Sequence, residues 1–148
     1  MANFVFEVVD TNLVVVMNTE SPLMPEWEAY LEACRQLDRK LNGDFNKAAA
    51  LIFTDGGAPN AAQRRGMVEV LKGRPANSAV VSDNMMVRGP LSILSLFNPA
   101  LKVFNPKDWK QAATFARIPE ARHLEHLQVA LKLSRQIGDL KVLRAIGL

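Results

Sequence analysis

The run AAALIFTD, Ala48 to Asp55, is apolar at successive positions with no polar alternation. A strand of that kind has to be covered on both faces, so the chain that carries it needs layers above and below a sheet. It leads into FTDGGAPNAAQRRG, Phe53 to Gly66, where turn-forming residues end the strand and a basic helix leaves.

The remaining segments fit that layering. FVFEVV and LVVVMN are β-branched and aromatic runs separated by the turn formers DTN, which predicts an opening hairpin and hence an antiparallel first strand. In SPLMPEWEAYLEACRQLDRKLNG, Trp27, Tyr30, Leu31, Cys34, Leu37 and Leu41 recur at helical spacing, with Pro25 near the first turn and Gly43 past the end. Asn60 followed by Gln63 predicts a reciprocal cap at the start of a second helix that stops near Gly73. SAVVSD reads as a further strand, NMMVRGPLSILSLF as a helical segment disturbed at Gly89 and Pro90, and LKVFN as a last strand. Asn105 and Pro106 are expected to cap the helix PKDWKQAATFARI, which Pro119 ends. From Glu120 onward, Leu124, Leu127, Leu131, Leu140 and Leu143 form an apolar helical stripe broken at Gly138.

Two strands followed by alternating helix and strand predict an α/β domain. It has one mixed sheet of about five strands, the first antiparallel and the rest mainly parallel, with helices on both faces. At 148 residues the chain fits a single core-bearing domain. The composition, 49% hydrophobic and 22% charged, excludes a disordered chain but neither an enzyme nor a binding module. The lone Cys34 reads as a buried thiol, no run of eighteen apolar residues occurs, and no leader pattern opens the chain, so a cytoplasmic protein without membrane insertion is expected. The net charge of +3 is uneven: residues 106–148 carry +4 and residues 1–105 carry −1. The basic residues of the tail alternate with acids and lack stacking aromatics, which reads as a solvated helix face and not as a nucleic-acid surface.

In parallel sheets the ligand crevice lies at the carboxyl ends of the strands. Here that rim collects Thr54, Asp55, Gly56, Gly57, Asn60, Arg64 and Arg65 from one turn, and Ser82, Asp83, Asn84 and Arg88 from the next. The Lys-Ser/Thr pair of a nucleotide phosphate loop is missing, and adjacent Gly56 and Gly57 do not make the dinucleotide fingerprint. A helix start with Arg64 and Arg65 one turn on still suits a small anion, while the plainer reading is a tight glycine turn capped by Asn60. Arg88 either pairs with Asp55 or Asp83 or faces outward to an acidic partner or a phosphate.

ALIFTDGGAPNAAQRRGM, AVVSDNMMVRG and FNPALKVFNP, in that order and with an Asp at the first strand-to-helix turn, resemble the STAS superfamily, the domain of anti-sigma-factor antagonists, in its SpoIIAA-like branch. The resemblance spans roughly Phe4 to Ile118 and implies a domain over 1–118, with 119–148 as a helical extension packed on it. It also implies a bacterial regulatory role through binding another protein. In that family an Asp-Ser pair at this turn is the phosphorylation switch; Asp55 matches the acid, but Gly56 stands at the serine position. Thr54 and Ser82 are the nearby hydroxyls left to modify.

Catalytic patterns are sparse. His123 and His126 lie three apart in HLEHL without an evident third metal ligand, and read as surface histidines. Asp55 and Asp83 would make an acid/base pair only if they converge, and no histidine, lysine or cysteine accompanies them. The expectation is therefore a non-catalytic interaction domain with no cofactor and no metal. Its partner is another protein, with homodimerisation through the tail also open, and a small anionic ligand (a nucleotide, phosphate or lipid headgroup) is the alternative.

Overall fold

The computed structural model describes residues 1–83 and 100–147. The segment NMMVRGPLSILSLF, with Asn84, Arg88, Gly89 and Pro90, lies outside the described residues. Among the described residues five strands, β1 (Phe4–Val9), β2 (Asn12–Met17), β3 (Ala49–Thr54), β4 (Asn77–Val81) and β5 (Leu101–Phe104), form one sheet in the order β1-β2-β3-β4-β5. β1 and β2 are antiparallel, with Phe4 opposite Met17 and Val9 opposite Asn12, and every later pairing is parallel. The mixed α/β sheet read from the sequence is the sheet observed, and the doubly apolar run is its middle strand.

Alternation along the strands divides the interior into two cores. Val14, Val16, Leu51, Phe53, Ala79 and Val81 face one side, where α3 (Trp109–Phe115), α4 (His123–Ser134) and α5 (Lys141–Ala145) cover them. Leu13, Val15, Met17 and Ala50 face the other, under α1 (Met24–Lys40) and α2 (Ala61–Leu71). A parallel crossover packs back on its sheet with one hand only, which is why the two helices that join β2 to β3 and β3 to β4 share a face.

Local chemistry sets where the helices begin. α1 opens after Leu23, whose amide donates to Glu26 Oε1 at 2.8 Å, while Glu26 Oε2 accepts from Asn3 N at 3.0 Å and ties the helix to the start of β1. α2 carries the expected reciprocal cap: Gln63 N donates to Asn60 Oδ1 and Asn60 N to Gln63 Oε1, both at 2.9 Å. Asn105 differs from expectation. Its side chain makes no capping bond, because a 3-10 turn at Pro106–Asp108 intervenes before α3.

Long-range polar contacts fasten the layers. Trp27 Nε1 donates to Gln63 O at 2.9 Å, and Gln63 Nε2 donates to Pro22 O at 2.7 Å, so α1 and α2 share a buried bridge. Arg74, past the end of α2, grips Asp38 of α1 through two bonds of 2.6 and 3.1 Å and also donates to Gly43 O and Val70 O. On the opposite face, Asn12 and Asn77 each donate at 2.8 Å to carbonyls at the end of α3, those of Ala116 and Phe115.

The apolar stripe of the tail is spent mostly inside the molecule. Leu127, Leu140 and Leu143 are buried, Leu131 is half-buried, and Leu124 is exposed. No helix among the described residues is long and apolar enough to cross a membrane.

Candidate functional site at the strand ends

The turn after β3 is held by its own groups. Thr54 Oγ1 donates to Gly57 O at 2.9 Å and accepts from Gly56 N at 3.1 Å, and Thr54 is 1% exposed. Gly57 N donates to Asn18 O at 2.9 Å. A Cβ on Gly57 would lie 2.1 Å from Glu20 O and 2.7 Å from Asn18 O, both backbone atoms, so close approach of two loops demands glycine here. Gly56 adopts φ 138°, the other backbone conformation that suits glycine.

Asp55 is turned away from the loop it opens. Its Oδ2 accepts from Lys141 N and its Oδ1 from Val142 N, both at 2.8 Å, so one carboxylate caps the first turn of α5 from 86 residues upstream. The helix supplies no side-chain cap of its own, since Leu140 stands at the capping position. The acid next to it, Asp139, pairs instead with Arg144 at 3.1 Å. Charge-assisted bonds from a carboxylate to backbone amides are among the stronger polar contacts a fold makes.

The other sequence candidates separate by burial. Arg64 Nη1 donates to Pro59 O at 3.1 Å, and its Nε is buried without a hydrogen-bond partner among the described residues. Arg65 and Asp83 are exposed, while Ser82 is 3% exposed and therefore shielded from a modifying enzyme. Thr54 is shielded in the same way. Both oxygens of Asp55 are engaged with α5, which is not the arrangement of an acid/base partner for Asp83. Asn84 and Arg88 fall outside the described residues.

His123 and His126 correct the surface reading. His123 is 5% exposed and His126 fully buried, because they share the face of α4 that carries Leu127 and Ala130 into the core. His123 Nε2 lies 2.8 Å from Ile118 O and His126 Nδ1 lies 2.8 Å from Arg122 O, so each of those nitrogens carries the proton. His123 Nδ1 and His126 Nε2 are left without a partner among the described residues. No group of three metal-ligating side chains occurs among those residues. Burial pushes the Cys34 thiol up to about 12, and a thiol so held is not a nucleophile at neutral pH.

Sequence reasoning missed two features. The cap from Asp55 to α5 has no local signature, since its partners are backbone amides far along the chain. Between α1, α2 and the sheet lies a cavity of about 110 Å³, lined by Trp27, Tyr30, Ile52, Arg64 and Met67 among others, which no motif announces.

Comparison of the chain with protein-family models, with curated proteins and with solved structures finds no match. The fold and the rim define a mixed α/β domain whose strand-end turn is closed by its own C-terminal helix.

Proposed function

We propose that the chain is a non-catalytic regulatory or scaffolding domain of the STAS, SpoIIAA-like type that binds another protein through the rim from Asp55 to Arg65. On this reading residues 1–118 form the domain, 119–148 its helical extension, and the setting is a bacterial cytoplasm. The observation that supports it is the exposure of Arg65 and Asp83 beside a turn that the bonds of Asp55 to α5 hold in place. The acid that the STAS pattern places at its partner-facing turn is here engaged in holding a helix, and Gly56 removes the phosphorylation switch beside it. Exposed Arg65 and Asp83 supply charges for recognition on the same rim.

Native co-purification with mass spectrometry tests the reading. Replacing Arg65 by Glu and Asp83 by Lys should abolish capture of the wild-type partner while circular dichroism stays unchanged. Capture that survives both charge reversals would overturn it.

A second reading rests on the cavity. Its apolar lining and the Nε of Arg64, which has no hydrogen-bond partner among the described residues, suit an anion attached to an apolar body, such as a lipid headgroup with part of its chain. A thermal-shift panel of nucleotides, inorganic phosphate and short-chain phospholipids separates the two readings. Ligand at a hundred times its dissociation constant adds about 2.7 kcal/mol of stability, and a flat panel removes this reading.

A further inference from the structure

The two outermost strands of a sheet present unpaired backbone groups, and proteins usually blunt them with proline, lysine, bulges or a covering segment. Among the described residues β1 is such an edge: it pairs with β2 alone, and its sequence FVFEVV holds one charge and no proline. The pairing with β2 fixes which groups remain open. Val9 and Asn12 close a two-residue hairpin, and Asn18 N donates to Asn3 O at 3.1 Å. Both observations make the odd-numbered residues of β1 the ones that exchange hydrogen bonds with β2. Phe4, Phe6 and Val8 therefore direct their N–H and C=O groups outward.

The side chains divide by the same parity. Val5 and Val9 pack toward α4, and Glu7 pairs with Lys132 of that helix at 2.7 Å. Phe4 and Phe6 pack toward α1, against Tyr30 at ring separations of 5.0 and 5.2 Å. Val8, on the α1 side, is 41% exposed, a β-branched residue on a strand with no neighbour beyond it.

We infer that β1 is an interface for a second copy of this chain, joined edge to edge in antiparallel fashion about a two-fold axis through Phe6. Among two-fold registers that match outward groups, this one uses all of them: Phe6 lies opposite Phe6, and Phe4 opposite Val8 of the second copy. It also places Glu7 opposite Val5 of the second copy and leaves the Glu7–Lys132 pair undisturbed. The register two residues along, centred on Glu7, sets two carboxylates face to face in a closely spaced pair and is rejected by their repulsion. The α1 side of the seam gains a Phe6–Phe6 contact, and the exposed Val8 is covered by Phe4. A ring of like charges is absent from the seam, and the edge is self-complementary, which is what a two-fold contact requires.

Analytical ultracentrifugation with single-site variants tests the assignment. The wild-type chain is expected to sediment at twice the mass of one chain. Val8→Pro removes an outward donor that serves no intramolecular bond, so it should give a monomer with an unchanged circular dichroism spectrum. Register is read by mild oxidation: Phe6→Cys should cross-link to its own copy, since paired α-carbons there are about 5.5 Å apart. Val8→Cys should not, and buried Cys34 stays silent in both. A wild-type chain that remains monomeric to millimolar concentration, a dimer that folded Val8→Pro leaves intact, or cross-linking of Val8→Cys in place of Phe6→Cys would overturn the inference.

Discussion

Asp55 shows how far a single carboxylate reaches in this molecule. Removing its two bonds leaves the first amides of a five-residue helix without acceptors, and a helix that short has no stability of its own. Asp55→Ala should cost about 1–2 kcal/mol, the usual range for a lost cap. Asp55→Asn, which keeps one acceptor, should cost about half as much on the same scale. Urea unfolding gives the loss, and hydrogen exchange should localise it to residues 141–147. Asp38 offers a test in pH. The hydrogen bonds from Arg74 hold its carboxyl below the ordinary value of 3.8, so the pair stabilises the fold above that pH and the contribution disappears as pH falls through the lowered value. Asp38→Asn should therefore be less stable than wild type at pH 6, and the difference should close toward pH 2 in urea titrations. Neither contact was legible beforehand. Asp55 finds amides in a segment 86 residues away, and Arg74 meets Asp38 only because α1 and α2 lie side by side. Sequence patterns report neighbours three or four apart, as with Asn60 and Gln63, and are silent about such pairs.

Helix contacts set the next scale. α1 and α2 touch closely at Gly66, where a Cβ would fall 2.8 Å from Leu31 Cδ1, the movable end of a side chain. Two effects oppose each other there. Alanine gains about 1 kcal/mol over glycine inside a helix, and moving Leu31 off its preferred rotamer costs about 0.5–1.5 kcal/mol. Gly66→Ala should thus leave the unfolding free energy within about 1 kcal/mol of wild type, whereas Gly66→Leu should lose about 1–3 kcal/mol by overpacking. Thermal and urea melts of the two variants check the pair. The strands, α1 and α2 were readable as elements because their periodicity or continuous burial is local. The face that α4 buries was misread at its start: HLEHL looks polar, yet both rings are buried, each donating to a nearby backbone carbonyl, His123 to Ile118 ahead of the helix and His126 to Arg122.

At the scale of the whole chain, the layered α/β plan followed from one run of residues, because only a middle strand tolerates apolar side chains on both faces. The closure of the rim by α5 did not follow, since it depends on which way a short terminal helix folds back. Among the described residues strand order equals chain order, so the sheet grows at one edge as synthesis proceeds, and α1 and α2 are both made before the last strand exists. Among the described residues every helix over the other core comes after residue 105, so Leu51, Phe53 and Val81 have none of those helices to lie against until that stretch has emerged. A chain stalled after β5 should be an aggregation-prone half sandwich, bound by chaperones and precipitating where the full chain stays dissolved. Translation arrest at that point, followed by sedimentation, would show it. The helix that seals the rim, α5, is then made only after every described strand it closes over.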